Sequence, residues 1–308
     1  MTWNPSAVPD LTGRTHVVTG ATGGIGYFAA EQLAAAGARV VLASRTPARL
    51  RAAEASIREQ VPGADVGSVV LELTSLESVS RAAKELAELP RLDGVFLNGG
   101  AMTARRGATT QDGVPLMLGS HAVANVALVG GLLPALAATG REHGVARVVH
   151  ASTWFVRRFR APVGDLVDVP RLWVAAYTHA KVVTEIFAFE LDRRLRAEGL
   201  PVASIVSHPG VGVDARTPHR TGVHDATTPR RRNPYTPWAQ GKDSAAWSAV
   251  RALTDPDARG GQFYGPSDRL RGLPVLVEPV ARTARPDGDE AARVWRRLED
   301  LAGVRLGL

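Results

Sequence analysis

Residues 13–26 read GRTHVVTGATGGIG, and the stretch YFAAEQLAAAG follows directly, ending at Gly37. His16 to Val18 is a short apolar strand by pattern, and the segment after Gly26 is a helix that Gly37 stops. Gly20 permits a tight turn, Gly24 lets backbone approach a diphosphate, and Gly26 lets helix and strand pack closely. The start of such a helix offers unpaired N–H groups and a positive dipole end to phosphate. The spacing is Thr19-Gly20-x-x-x-Gly24-Ile25-Gly26, not the G-x-G-x-x-G of other dinucleotide turns. We read Gly20, Thr22, Gly23, Gly24, Ile25 and Gly26 as a nucleotide-binding loop. A glycine-rich strand–helix turn without a ligand is the alternative.

The second strand, ARVVLASR, ends at Ser44-Arg45. An acidic residue there would bind a ribose 2′-hydroxyl, whereas an arginine accommodates a 2′-phosphate. No Asp or Glu ends this strand, so Ser44 and Arg45 argue for NADP over NAD. The competing reading is that Arg45 only opens a solvated helix. TPARLRAAEASIREQ then reads as a helix, VGSVVLEL as a strand, SLESVSRAAKELAEL as a helix and DGVFLNGGA as the fourth strand. Strands and helices that alternate with short connections predict right-handed crossovers and a parallel sheet. Glu72-Leu73 ends the third strand and Asn98-Gly99-Gly100 the fourth, and strand C-termini are where such sheets bind ligands.

A long helix is predicted over about 112–139, apolar on nearly every face. It should be buried against its own sheet and a second subunit. ARVVHAST is the fifth strand, ASIVSHPG the sixth, and PVLVEP supplies the seventh.

WVAAYTHAKVVTEIFAFELDRRLRAEGLP is an amphipathic helix by pattern, with Tyr177 and Lys181 four residues apart. That spacing puts both side chains on one face. A free tyrosine titrates near pH 10, and a nearby fixed positive charge lowers that value. The pair is then a proton donor for carbonyl reduction, or an acceptor for alcohol oxidation. An ordinary helix face is the competing reading of the same two residues.

The composition is compatible with this. The chain has 308 residues, 45% of them hydrophobic, enough for one large domain with a substantial core. It contains no cysteine, which excludes disulfides, thiol catalysis and Cys-ligated metal. We expect no metal, no membrane span, no secretory signal and a cytoplasmic enzyme. The net charge is +7 and is carried almost entirely by arginine, with Lys84, Lys181 and Lys242 the only lysines. The arginines are dispersed apart from Arg230-Arg231-Arg232, and no nucleic-acid motif is present.

With these pieces in order the chain resembles the short-chain dehydrogenase/reductase family. The matches are the Thr19–Gly26 turn, Asn98-Gly99-Gly100-Ala101, Tyr177-x-x-x-Lys181 and His208-Pro209-Gly210, covering about residues 11–215. The tail, Gly260-Gly261-Gln-Phe-Tyr264-Gly265-Pro266 and then AARVWRRLEDLAG, is similar to the retinol-dehydrogenase-like branch. The resemblance implies a Rossmann-type α/β fold, a doubly wound parallel seven-stranded sheet with helices on both faces. It implies a single domain over 1–308, with a nucleotide half at about 11–110 and a catalytic half at about 111–210. A substrate lid at about 211–243 and a C-terminal segment at about 244–308 complete it. The lid carries Tyr235 and Trp238 as its only aromatics.

The family also implies catalysis by Tyr, Lys, Ser and Asn. Tyr177 and Lys181 match, and Pro209 and Gly210 join the cofactor-binding set. The serine position falls on Thr153, with Ser152 just before it. Counting back from Pro134, the asparagine position falls on His121, with Asn125 one turn later. The expected activity is NADP-dependent reduction of a carbonyl, or oxidation of an alcohol, in a small organic molecule. Two other classes stay open: a cyclase, dehydratase or isomerase using the Tyr–Lys pair without net redox, and a non-catalytic NADP-binding protein. A symmetric dimer through the long helix and the Tyr177 helix is expected.

Overall fold

The computed structural model describes residues 3–103, 105–160, 163–225 and 236–308. Eight strands form one sheet in the order β3-β2-β1-β4-β5-β6-β7-β8. They are β1 Thr15–Thr19, β2 Arg39–Ser44, β3 Val66–Val70, β4 Gly94–Leu97, β5 Ala146–Ala151, β6 Val202–Ser207, β7 Phe263–Asp268 and β8 Arg271–Leu276. The first seven are parallel and β8 runs antiparallel along β7. The strand order reverses between β1 and β4, and ligands bind at the crevice that such a reversal opens.

Helices cover both faces. α1 Gly24–Ala35, α2 Pro47–Gln60 and α9 Trp247–Thr254 lie on one side. α3 Leu76–Ala87, α5 Ala124–His143, α7 Trp173–Ala197 and α11 Glu290–Ala302 lie on the other. Side chains alternate along a strand, so Val18 and Phe96 join the first core while Val17 and Val95 join the second. Shorter helices are α4 Leu116–Leu118, α6 Trp154–Arg158, α8 Lys242–Ala245 and α10 Ala281–Ala284.

The doubly wound parallel sheet agrees with the expectation, but its seventh strand does not lie where the sequence placed it. Phe263–Asp268 is the seventh strand, and PVLVEP contributes instead to the antiparallel eighth. The helix expected over 112–139 runs from Leu116 to His143, starting after Pro115. Residues Gly119–Val123 within it form a π-helical turn. Its length and apolar composition suffice to cross a membrane, and 67% of its most apolar stretch is buried inside the fold. Such a helix is a core helix.

The ground for a dimer also changes. α11 packs on both α5 and α7, and Trp295 stacks on Phe187 with ring centroids 5.2 Å apart. Val304, Leu306 and Leu308 continue that cover. The chain's own C-terminal helix thus covers apolar side chains of α5 and α7, which sequence patterning could not assign to a face. Arg230-Arg231-Arg232 and Tyr235 lie outside the described residues.

Candidate active site

The C-terminal ends of β1 and β4 are tied together before any ligand enters. Asn98 Nδ2 donates to Thr19 O at 3.1 Å, and Gly99 N donates to Thr19 Oγ1 at 2.9 Å. The glycine loop packs onto this junction. Gly20 has φ +67°, and a Cβ there would stand 2.9 Å from Gly99 Cα. A Cβ on Gly26 would stand 2.6 Å from both Gly20 O and Asn98 Nδ2. Gly24, at φ +59°, opens α1, whose first turn has no side-chain cap. Backbone N–H groups of that turn are left for an anion, so the loop fits a phosphate-bearing nucleotide.

Other predicted cofactor residues surround the loop. Thr22 Oγ1 and Ser44 Oγ lie 3.2 Å apart. Arg45 is 3.9 Å from Glu72, whose carboxylate also accepts from Thr74 N at 3.0 Å. Leu73 packs under Gly99, 2.7 Å from where a Cβ would be. The guanidinium of Arg49 lies 3.5 Å from a Cβ built on Gly23, beside the loop. Sequence reasoning missed Arg49, although it stands one helical turn after Arg45.

A cleft leads from this loop into the fold. It is lined by Ile25, Asn98, Gly100, His121, Tyr177 and Lys181, and Ser152 and Pro209 also border it. Gly210, at φ +68°, turns the chain away after Pro209. The catalytic candidates thus converge from three separate stretches of chain.

Tyr177 accepts a hydrogen-bonding influence from Thr153, yet burial prevails and pushes its phenol up to about 12. The lowering expected from Lys181 is not seen here. The Lys181 ammonium lies 5.8 Å from the Tyr177 ring centroid and donates to Ala151 O at 2.6 Å. Burial brings Lys181 down to about 7, while the Glu185 carboxylate favours its charge. Ser152 donates to Glu185, and Thr283 Oγ1 donates to the other carboxylate oxygen at 2.8 Å. The Ser152 hydroxyl is thereby turned toward Glu185, and the Thr153 hydroxyl is the one beside Tyr177. Glu185 was another omission from the sequence reading, one turn beyond Lys181.

His121 stands in the π-helical turn, its ring edge-on to Tyr177 at 5.4 Å between centroids. Neither ring nitrogen has a well-aligned hydrogen bond. Burial first, and the Lys181 charge second, hold its pKa well below the ordinary histidine value, with the Ala101 backbone opposing weakly. The imidazole is neutral at pH 7. Asn125 sits behind it, donating from Nδ2 to His121 O at 2.8 Å, and Thr184 Oγ1 donates to the same carbonyl at 3.1 Å. Of the two candidates for the asparagine position, His121 borders the cleft and Asn125 braces the turn.

Described residues of the expected lid contact α1 and Pro209. Arg220 forms a two-pronged contact with Glu31 of α1, at 2.5 and 2.7 Å. Gln240 Nε2 donates to Pro209 O at 2.9 Å. Trp238 is exposed, in the short turn Thr236–Trp238.

The sequence pattern of the short chain dehydrogenase family matches residues 14–151. Polyprenol dehydrogenase from Mus musculus is 32% identical over 98% of this chain and 88% of its own length. Retinol dehydrogenase 13 from Homo sapiens is 33% identical over 70% of this chain and 64% of its own. Among solved structures, an uncharacterized protein from Mycobacterium paratuberculosis superposes with a TM-score of 0.78 at 27% identity, covering 100% of both chains. A short chain dehydrogenase from Escherichia coli CFT073, complexed with NADPH, shares the fold with a TM-score of 0.63 at 23% identity, over 83% of this chain and 98% of its own. Glycine loop, Tyr–Lys helix and relatives agree, and the chain belongs to the short-chain dehydrogenase/reductase family.

Proposed function

We propose that the protein is an NADP(H)-dependent oxidoreductase that reduces a carbonyl group, or oxidises an alcohol, on a small organic molecule. The observation that carries this reading is the cleft itself. It runs from Ile25 of the phosphate-accepting loop to the half-buried Tyr177 and the buried Lys181 and His121. Arg45, with Arg49 nearby, supplies positive charge for a 2′-phosphate at the loop's outer end. Relatives crystallised with NADPH or NADP support the choice of cofactor.

A bound nicotinamide would supply or accept the hydride. The protein's own part is proton handling. Tyr177, neutral at pH 7 and held protonated further by burial, is a proton donor to the carbonyl oxygen. Thr153, beside it, orients that oxygen by hydrogen bonding. Lys181 carries the positive charge that the phenolate needs once its proton has left. The Ala151 carbonyl holds Lys181 in place, and the Glu185 carboxylate favours its charged form against burial. His121, with one donor and one acceptor nitrogen when neutral, occupies the relay position toward Lys181.

The polyprenol and retinol dehydrogenase names among the relatives support an isoprenoid alcohol or aldehyde as substrate, within the retinol-dehydrogenase-like branch. Nicotinamide absorbance followed with a panel of carbonyls, retinal and polyprenal among them, tests the reading. NADPH consumption that depends on the carbonyl is expected. Turnover of a substrate with no cofactor consumed would select a non-redox enzyme instead.

A further inference from the structure

Lys242 lies beside the glycine loop, although the sequence separates the two by most of the chain. Its Cδ is 3.8 Å from where a Cβ on Gly24 would stand. It belongs to α8, and three residues later Ala245 lines the cleft together with Ile25, Asn98 and Tyr177. α8 is fastened to α1 by Gln32 Nε2, which donates to Asp243 O at 2.9 Å. The lysine is therefore held at the mouth of the cleft, next to the backbone that would meet a diphosphate. Its ammonium pairs with Asp214 at 2.5 Å, and its side chain is 27% exposed. Among the described residues, His224 is the other basic group near that carboxylate, at 3.9 Å.

Charge decides what this pair can do. Asp214 neutralises Lys242 when no ligand is present. A dinucleotide diphosphate brings two negative charges to the same corner, where an unpartnered Asp214 would repel it. Lysine is a flexible stem with a compact charge and three rotatable donors, suited to exchanging one anionic partner for another. Chain composition points the same way: nearly all basic residues are arginine, and of the three lysines one is Lys181 and another is Lys242.

We propose that Lys242 is a cofactor-binding residue of the lid, which exchanges its ion pair with Asp214 for the diphosphate of the dinucleotide. This rests on the reading of the cleft as a dinucleotide site. The diphosphate is common to NADP and NAD, so Lys242 serves affinity for both, whereas Arg45 serves the choice between them.

Calorimetric titration of NADP and NAD into the native chain, Lys242→Met, Lys242→Arg and Asp214→Asn tests it. Lys242→Met is expected to weaken both dinucleotides by a similar factor, about 10-fold, the value of one charge-assisted hydrogen bond. Lys242→Arg should recover most of that loss. Asp214→Asn should tighten both, because the competing carboxylate charge is gone. A Lys242→Met affinity within about twofold of native overturns the proposal, and so does a loss confined to NADP. Asp214→Asn is an independent arm if the lysine variant folds poorly, and unchanged or weaker binding there overturns the exchange. A native chain that binds neither dinucleotide refutes the cofactor reading itself, which separates the two failures.

Discussion

Two glycines three residues apart in the phosphate loop should respond oppositely to substitution. Gly26→Ala places a methyl 2.6 Å from Gly20 O and from Asn98 Nδ2. Backbone oxygen cannot swing away, so α1 must move off β1. Overpacking of this kind costs about 1–3 kcal/mol. A chain of this length has an unfolding entropy of roughly 0.65 kcal/mol per degree, from about 2.1 cal/mol/K per residue. The melting temperature should therefore fall by about 2–5 °C. Dinucleotide affinity should fall with it, because the displaced loop no longer presents its N–H groups together. Gly23 is the contrast. Its φ of 170° is extended backbone open to any residue, and a Cβ there meets only the Arg49 side chain at 3.5 Å. It caps α1, so Gly23→Ser adds a good cap and should leave stability within about 0.5 kcal/mol of native or raise it. Differential scanning calorimetry of both variants, with titration of NADP, makes the comparison. Equal melting temperatures and affinities in Gly26→Ala and the native chain would refute the packing argument.

Arg45→Asp should shift preference from NADP toward NAD, and native binding of NAD as tight as NADP in calorimetry would refute the assignment of Arg45 to a 2′-phosphate. His121, held neutral by burial, should contribute no acid limb between about pH 6 and pH 8. His121→Asn should then retain activity with an unchanged profile, whereas His121→Ala should lose on the order of 10-fold. A native fall in rate centred near the ordinary histidine value, absent in the Asn variant, would show that the imidazole titrates after all. Trp295 is 2% exposed and stacked on Phe187. Trp295→Ala should cost about 3–5 kcal/mol. Sedimentation of the native chain should show a monomer, since α11 covers the α5–α7 face; a dimer at micromolar concentration would mean another surface associates.

The parallel sheet was legible in sequence because each βα unit announces itself locally, by a short apolar run, a turn and a periodic helix. The Tyr177–Lys181 spacing and the glycine loop were legible for the same reason. What was not legible depends on contacts distant in sequence. Lys242 meets Gly24, and Thr283 meets Glu185, across separations no local pattern records. The tail AARVWRRLEDLAG was legible as part of the resemblance, but not that it would pack as α11 on α5 and α7. The tyrosine pKa failed differently: the spacing put Lys181 on the same helix face, but burial dominates and pushes the phenol up.

Proton transfer by Tyr177 is the central step of the proposed nicotinamide-dependent reaction. The most direct test is NADPH consumption with a carbonyl substrate by the native chain and by Tyr177→Phe, with dinucleotide affinity measured on both. Phenylalanine removes only the hydroxyl, so NADPH binding should persist while the rate falls by about 10²- to 10⁴-fold. Native-like turnover in Tyr177→Phe, with binding intact, would contradict it.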